Sequence, residues 1–127
     1  MLKWIKPSNR SKGFLFEDLA KNYLLNSDLV FIEANFYSRF GEIDLIMKDG
    51  DVWVFVEVKY RKSDRFGSPF ALVSLSKQKK IIQTAKFYLL KKQLNEYNSY
   101  FRYDVVSLLG PADNPQITWL KNAFYGA

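Results

Sequence analysis

GEIDLIMKDGDVWVFVEVKYR, residues Gly41 to Arg61, is the stretch on which the fold of this 127-residue chain turns. Two apolar runs flank Asp49-Gly50, and Asp-Gly in that setting takes the positive φ angles of a tight hairpin turn. The simplest register makes Asp49-Gly50 the loop and pairs Lys48 with Asp51. Counting back sets Asp44 opposite Phe55 and Glu42 opposite Glu57. Side chains alternate along a strand, so Glu42 and Asp44 share a face with Glu57 and Lys59 of the partner strand. Opposed side chains lie roughly 5 Å apart at Cβ and diagonal ones roughly 7 to 8 Å. Three carboxylates and an ammonium group therefore converge on one patch, and like charges so placed destabilise a sheet unless something positive sits between them.

The second strand sharpens the anomaly. DVWVFVEVKY carries Val52, Val54, Val56 and Val58 on one face and Trp53 and Phe55 on the other, the pattern of a strand covered on both sides. A charge there costs several kcal/mol unless it is paired or coordinated. A salt bridge from Lys59 to Glu57 or Glu42 is the plain alternative, and it leaves two acids without partners.

Composition narrows the chemistry. The chain is 48% hydrophobic and 17% aromatic, which suits one globular domain over residues 1–127 with a substantial core. No apolar run approaches the roughly 20 residues that span a bilayer, and MLKWIKPSNRSKG lacks the apolar core of a secretion signal. The expectation is a soluble cytoplasmic protein without a membrane partner. The sequence contains no cysteine and no histidine, so thiolate chemistry, the commonest general base and the usual zinc ligand are all absent. Catalysis would have to run on carboxylates, lysine, hydroxyls and a hard metal. The net charge of +6, from 19 Lys and Arg against 13 Asp and Glu, favours a polyanionic partner such as nucleic acid.

In chain order, residues 1–10 read as a flexible lead-in, followed by a helix from about Ser11 to Asn26 with Phe16, Leu19, Ala20, Tyr23 and Leu24 at helical spacing. Glu17 borders that stripe; a carboxylate favoured by the dipole of the first turn is its ordinary explanation. Residues 29–37 are rich in β-formers, with Ser38 to Gly41 as the connection into the hairpin. Arg61 to Pro69 reads as a polar loop. A second helix runs from Ser74 or Ser76 to Leu94, burying Ile81, Ile82, Ala85, Tyr88 and Leu89 and exposing a lysine-rich face that is either solvated or holds a phosphate backbone. FRYDVVSLL, 101–109, is a strand that the preceding crossover helix allows to lie parallel to the strand bearing Glu57. Asp104 within it reads as a structural partner for an arginine. QITWLKNAF supplies a short last strand or tail. The fold class is α/β: a mixed sheet, with an antiparallel meander of three strands plus a parallel strand after a crossover helix, flanked by helices.

An acid followed at a distance by Glu-x-Lys on adjacent strands is the arrangement of the PD-(D/E)xK nucleases. Beyond that tripeptide, GEIDLIMKDG, VFVEVKYR, FGSP from Phe66 to Pro69, KQKK from Lys77 to Lys80 and RYDVV from Arg102 to Val106 together resemble the YraN family of uncharacterised bacterial proteins, over about Asn9 to Phe124. The resemblance implies a restriction-endonuclease-like core and metal-dependent hydrolysis of DNA, with branched or damaged DNA among the candidate substrates. It implies Asp44 as the motif aspartate, Glu57 and Lys59 as the Glu-x-Lys pair, Glu17 as the helix acid and Gln78 as the glutamine some superfamily members hold near the site. The chain departs from the pattern at Phe16, where the family usually has glycine, and at Tyr37, where arginine is common. Mg²⁺ or Mn²⁺ suits Asp44, Glu57 and Glu17, since both cations take oxygen ligands. Arg39, Arg61, Lys62, Lys77, Lys79 and Lys80 are the candidates for phosphate contact, with DNA favoured over RNA. Gln78 has an equally good explanation as a solvated helix residue, and Glu42 either joins the outer acids or holds Lys59. By analogy with junction-cleaving enzymes, a homodimer is among the open assemblies. Two other readings stand beside the nuclease: a nucleic-acid binding module that keeps the fold without turnover, and a scaffold with a salt-bridged hairpin and a basic surface.

Overall fold

A computed structural model of the chain describes residues 7–63, 65 and 73–125, with side chains from residue 15 onward. The lead-in up to residue 6 and the FGSP segment lie outside the described residues. Seven elements follow in order: α1 (Pro7–Leu25), β1 (Val30–Ser38), β2 (Gly41–Asp49), β3 (Val52–Arg61), α2 (Leu75–Lys91), β4 (Tyr100–Leu109) and β5 (Gln116–Phe124). The strands form one sheet in the order β1-β2-β3-β4-β5, with only β3 and β4 parallel. This is a mixed α/β layout consistent with a restriction-endonuclease-like fold.

α1 begins at Pro7, so residues 7–10, expected in the lead-in, make its first turn. Proline suits that position, because its missing N–H has no helical acceptor there and its φ is already helical. α2 starts after Ser74, whose hydroxyl accepts from Lys77 N at 3.1 Å, and ends at Lys91, three residues short of the expected Leu94. QITWLKNAF is a full edge strand, paired antiparallel to β4.

The helices cover opposite faces of the sheet. On one side Ile81, Ala85, Tyr88 and Leu89 of α2 pack with Phe36, Ile43, Ile46, Phe55, Tyr103 and Val105. On the other, Phe16, Ala20 and Leu24 of α1 pack with Leu45, Met47, Val54, Val56, Val106 and Leu108. β3 divides as its alternation dictates, with Trp53 and Phe55 toward α2 and Val52, Val54, Val56 and Val58 toward α1. Burial of each such side chain contributes about 1.5–3 kcal/mol.

The hairpin register differs from the simplest count. Asp49 pairs with Val52 and Leu45 with Val56, so the loop is Gly50-Asp51. Gly50, at φ +61, takes the first central position of the turn, where a tight hairpin favours glycine. Asp49 is held in the ladder by an ion pair, its Oδ2 lying 3.0 Å from Arg102 Nη1 on β4. The shift is two residues, and a shift by two preserves the face of every side chain whereas a shift by one would invert it. Phe55 therefore pairs with Ile46 and not with Asp44, and the ladder ends at Leu45–Val56, next to Asp44 and Glu57.

Candidate active site

The acids gather where β2 begins and β3 ends. Val58 N donates to Asp44 Oδ2 at 2.8 Å, so a carboxylate takes the main-chain donor that a β2 carbonyl would otherwise accept, and the β2–β3 ladder stops there. Strict alternation also fails at this point. Ile43 packs on the α2 side while Leu45 and Met47 pack on the α1 side, so the strand changes face across Asp44. Opposite this change, Asn35 of β1 holds a left-handed backbone at φ +54 between the pairs Phe36–Ile43 and Ala34–Leu45. The irregularity lets one carboxylate approach both the α1 acid and the β3 acid.

Glu57 is buried, 4% exposed, and two ammonium groups meet one of its oxygens. Lys59 Nζ lies 3.5 Å and Lys77 Nζ 3.7 Å from Oε2, while Oε1 is buried without a hydrogen-bond partner. The salt bridge expected for Lys59 is therefore present, and α2 supplies a second. Gly41, at a φ of +148 that side-chain-bearing residues rarely adopt, lets β2 run close beneath α2: a Cβ there would stand 3.4 Å from Lys80 Cβ. That approach sets Glu42 beside Lys77.

The electrostatics show how crowded the acids are. Burial, and next the charge of Glu57, push the Asp44 carboxyl up to about 8; the Val58 N–H opposes this, and Glu17 and Glu42 add to it. Glu17 is raised by burial and by Glu42, Asp18 and Glu57, against a hydrogen bond from the Asn35 side chain. Glu42 is raised by burial and by Glu57, against the charge of Lys77. Tyr37, 64% exposed, has its phenol raised by partial burial and by Glu42, Glu17 and Asp44. Tyr37 thus faces the acids without neutralising them. When all are ionised, Glu17, Glu42, Asp44 and Glu57 outnumber Lys59 and Lys77 by two, a deficit that one divalent cation would balance.

The donor set fits such a cation in a specific way. Asp44 and the unpartnered Oε1 of Glu57 offer the hard oxygens that Mg²⁺ or Mn²⁺ takes. Among the described residues no three acid side chains converge tightly enough to ligate one ion together, so Glu17 stands beside the Asp44–Glu57 pair. Phe16 places that helix: its ring stacks on Tyr60 at 3.9 Å, and the Tyr60 hydroxyl donates to Gly110 O at 2.6 Å.

The remaining candidates lie around this centre. Gln78 Nε2 donates to Val73 O at 3.0 Å, tying it to the start of its own helix. Lys79 and Lys80 are exposed on α2, Lys62 is exposed just beyond β3, and Arg61 is half-buried at the end of that strand. Arg39 lies over the ring of Phe40, 4.9 Å from its centroid, in the β1–β2 turn. Asp104 is structural: fully buried, it accepts from Arg102 Nε at 3.1 Å, Trp119 Nε1 at 2.9 Å and Asn122 N at 3.0 Å.

A profile for the uncharacterised protein family UPF0102 matches residues 16–108, from Phe16 of α1 to Leu108 near the end of β4. The chain belongs to the UPF0102 family. A UPF0102 protein of Colwellia psychrerythraea is 56% identical over 92% of this chain and 91% of its own length. One from Aliivibrio salmonicida is 48% identical over 93% and 94%, and one from Clostridium tetani 42% over 91% and 95%. UPF0102 is the family that the GEIDLI and FVEVKYR segments resemble. Two contacts of this cluster were not anticipated from the sequence: the Asn35 side chain on Glu17, and Lys77, named above only for phosphate contact, on Glu57. Asn35 carried a usable signal, since asparagine amid β-formers marks a left-handed position. The second, Lys77 as a partner of Glu57, carried none, because its exposed neighbours on α2 look the same in sequence.

Proposed function

We propose that this UPF0102 protein is a cytoplasmic, divalent-cation-dependent nuclease of the PD-(D/E)xK type that hydrolyses phosphodiester bonds in DNA. One observation carries the reading: a buried Glu57 whose Oε1 has no partner, beside Asp44 and within 3.5 Å of the Lys59 ammonium. Nothing structural is gained by burying that oxygen unpaired, since an uncompensated buried acceptor costs about 1–3 kcal/mol. Among the described residues no helix is long and apolar enough to cross a membrane.

Asp44 and Glu57 would hold Mg²⁺ or Mn²⁺, which when bound supplies positive charge to a phosphate and acidifies a water. Lys59 leaves the strand on the same side as Glu57, two residues on, and its ammonium can orient the attacking water or steady negative charge on the phosphate oxygens. Glu17 and Glu42 keep the surrounding field negative, which favours the cation and discourages binding of phosphate before the cation arrives. Arg39, Arg61, Lys62, Lys79 and Lys80 then contact the flanking phosphates, and Gln78 has its amide oxygen as a further polar contact.

The test is cleavage of single-stranded, duplex, flap and four-way-junction DNAs with Mg²⁺ or Mn²⁺, run beside Asp44→Ala and Lys59→Ala. Cation-dependent cleavage by the wild type and its loss in both variants is the expected result. Absence of cleavage on every substrate, with DNA still bound, would turn the assignment to a binding module that keeps the fold without turnover.

A further inference from the structure

Lys77 differs from the other lysines of α2. Its main-chain N–H is fixed by the Ser74 cap at 3.1 Å, which sets the direction in which the side chain leaves the first turn. The half-buried ammonium reaches Glu57 Oε2 at 3.7 Å, on the same oxygen that Lys59 meets at 3.5 Å. Lys79 and Lys80, two and three residues on, are exposed. Both contacts to Glu57 are longer than the roughly 2.7–2.9 Å of a charge-assisted hydrogen bond. The ammonium groups therefore compensate charge without being locked in place.

The two lysines are not equivalent. Lys59 stands on β3 two residues from Glu57, within the parallel ladder and level with Ser107, so its root cannot leave the carboxylate. Lys77 comes from another element on a flexible four-carbon stem, and small rotations swing its tip away from Glu57. A cation on Glu57 would place like charge beside the Lys77 ammonium, which disfavours both being there.

We propose that Lys77 is the resting counter-ion of the cation site: it neutralises Glu57 until a divalent cation displaces it, and the released ammonium then binds a phosphate oxygen of the substrate. The proposal rests on the cation-dependent nuclease reading above. It makes cation binding and nucleic-acid binding linked steps, since each event changes the partner available to one side chain. Linkage of this kind amounts to roughly 5- to 150-fold in affinity.

The test separates the two halves without requiring turnover. Mn²⁺ is titrated into wild type, Lys77→Met, Lys77→Arg and Lys79→Met at fixed pH and ionic strength. Free Mn²⁺ is read by its paramagnetic resonance signal and stability by thermal melting. Removing the competing ammonium should lower the Mn²⁺ midpoint about tenfold in Lys77→Met. Lys77→Arg, which keeps the charge, and Lys79→Met, which removes a charge from the same turn, should both stay near wild type. Lys77→Gln repeats the measurement with a polar tip in case Lys77→Met fails to fold. A short labelled duplex is then titrated with and without Ca²⁺. Lys77→Met should lose about tenfold in affinity with Ca²⁺ and be unchanged without it. An unchanged Mn²⁺ midpoint in Lys77→Met, an equal shift in Lys79→Met, or a DNA defect independent of Ca²⁺ overturns the proposal and leaves the nuclease reading standing. A wild type that ignores Mn²⁺ overturns both.

Discussion

Replacing Asp44 with asparagine should make the cation-free protein more stable, and by an amount that depends on pH. The carboxyl is raised from 3.8 to about 8, chiefly by burial and by the neighbouring Glu57 charge. Between those values the folded state holds a proton that the unfolded chain gives up. The associated stability is therefore complete below about 3.8 and is lost progressively as pH rises through about 8. At about 1.36 kcal/mol per pH unit, ionising the unfolded chain while the folded carboxyl stays protonated removes on the order of 4 kcal/mol by pH 7. Asparagine has the same shape, keeps an acceptor for Val58 N–H and carries no charge, so Asp44→Asn escapes that loss. For a chain of this length the gain corresponds to a melting temperature higher by on the order of 10 °C near neutral pH, shrinking toward zero near pH 4. Calorimetry in a chelating buffer from pH 4 to pH 8 measures it directly. Mn²⁺ should reverse the order, raising the melting temperature of the wild type by mass action and leaving Asp44→Asn behind. An Asp44→Asn protein less stable than wild type at pH 8 in chelator, or a difference that stays constant down to pH 4, would refute the description of Asp44 as a destabilised carboxylate awaiting a cation.

Three further outcomes concern the frame around the site. Asp104→Ala should cost about 3–5 kcal/mol in urea denaturation, because Arg102 Nε, Trp119 Nε1 and Asn122 N lose their acceptor while only Arg102 Nη1 keeps one, on Asp49; a loss under 1 kcal/mol would mean that water replaces the carboxylate. Phe16→Ala removes the ring stacked on Tyr60 and should cost about 3–5 kcal/mol. Tyr60→Phe, which keeps the stack and loses only the hydroxyl bonded to Gly110 O, should cost about 1 kcal/mol by the same assay.

The sequence by itself determined the class of the fold and the kind of chemistry. Alternation in VWVFVEV specifies a strand covered on both faces, and the observed packing of Trp53 and Phe55 against α2 and of the valines against α1 follows it. The length of the segment between β3 and β4 allowed a parallel return, and β4 returns in parallel. Asp104 was legible as the partner of an arginine because two residues along a strand share a face, which is where Arg102 stands. The absence of histidine and cysteine left carboxylates, lysines and hydroxyls to carry any catalysis. Tertiary structure decided the rest, because it depends on contacts between elements distant in the chain. The hairpin slid by two residues because Asp49 is held in the ladder by Arg102, 53 positions away. The face change at Asp44 arises where Asn35 interrupts the neighbouring strand, and local alternation carries no trace of it. Which lysine of α2 reaches Glu57 was set by the Ser74 cap and by the rotation of the helix over the sheet. Four acids and two lysines could be counted in the sequence, but the oxygen left unpaired among them exists only once α2 has docked.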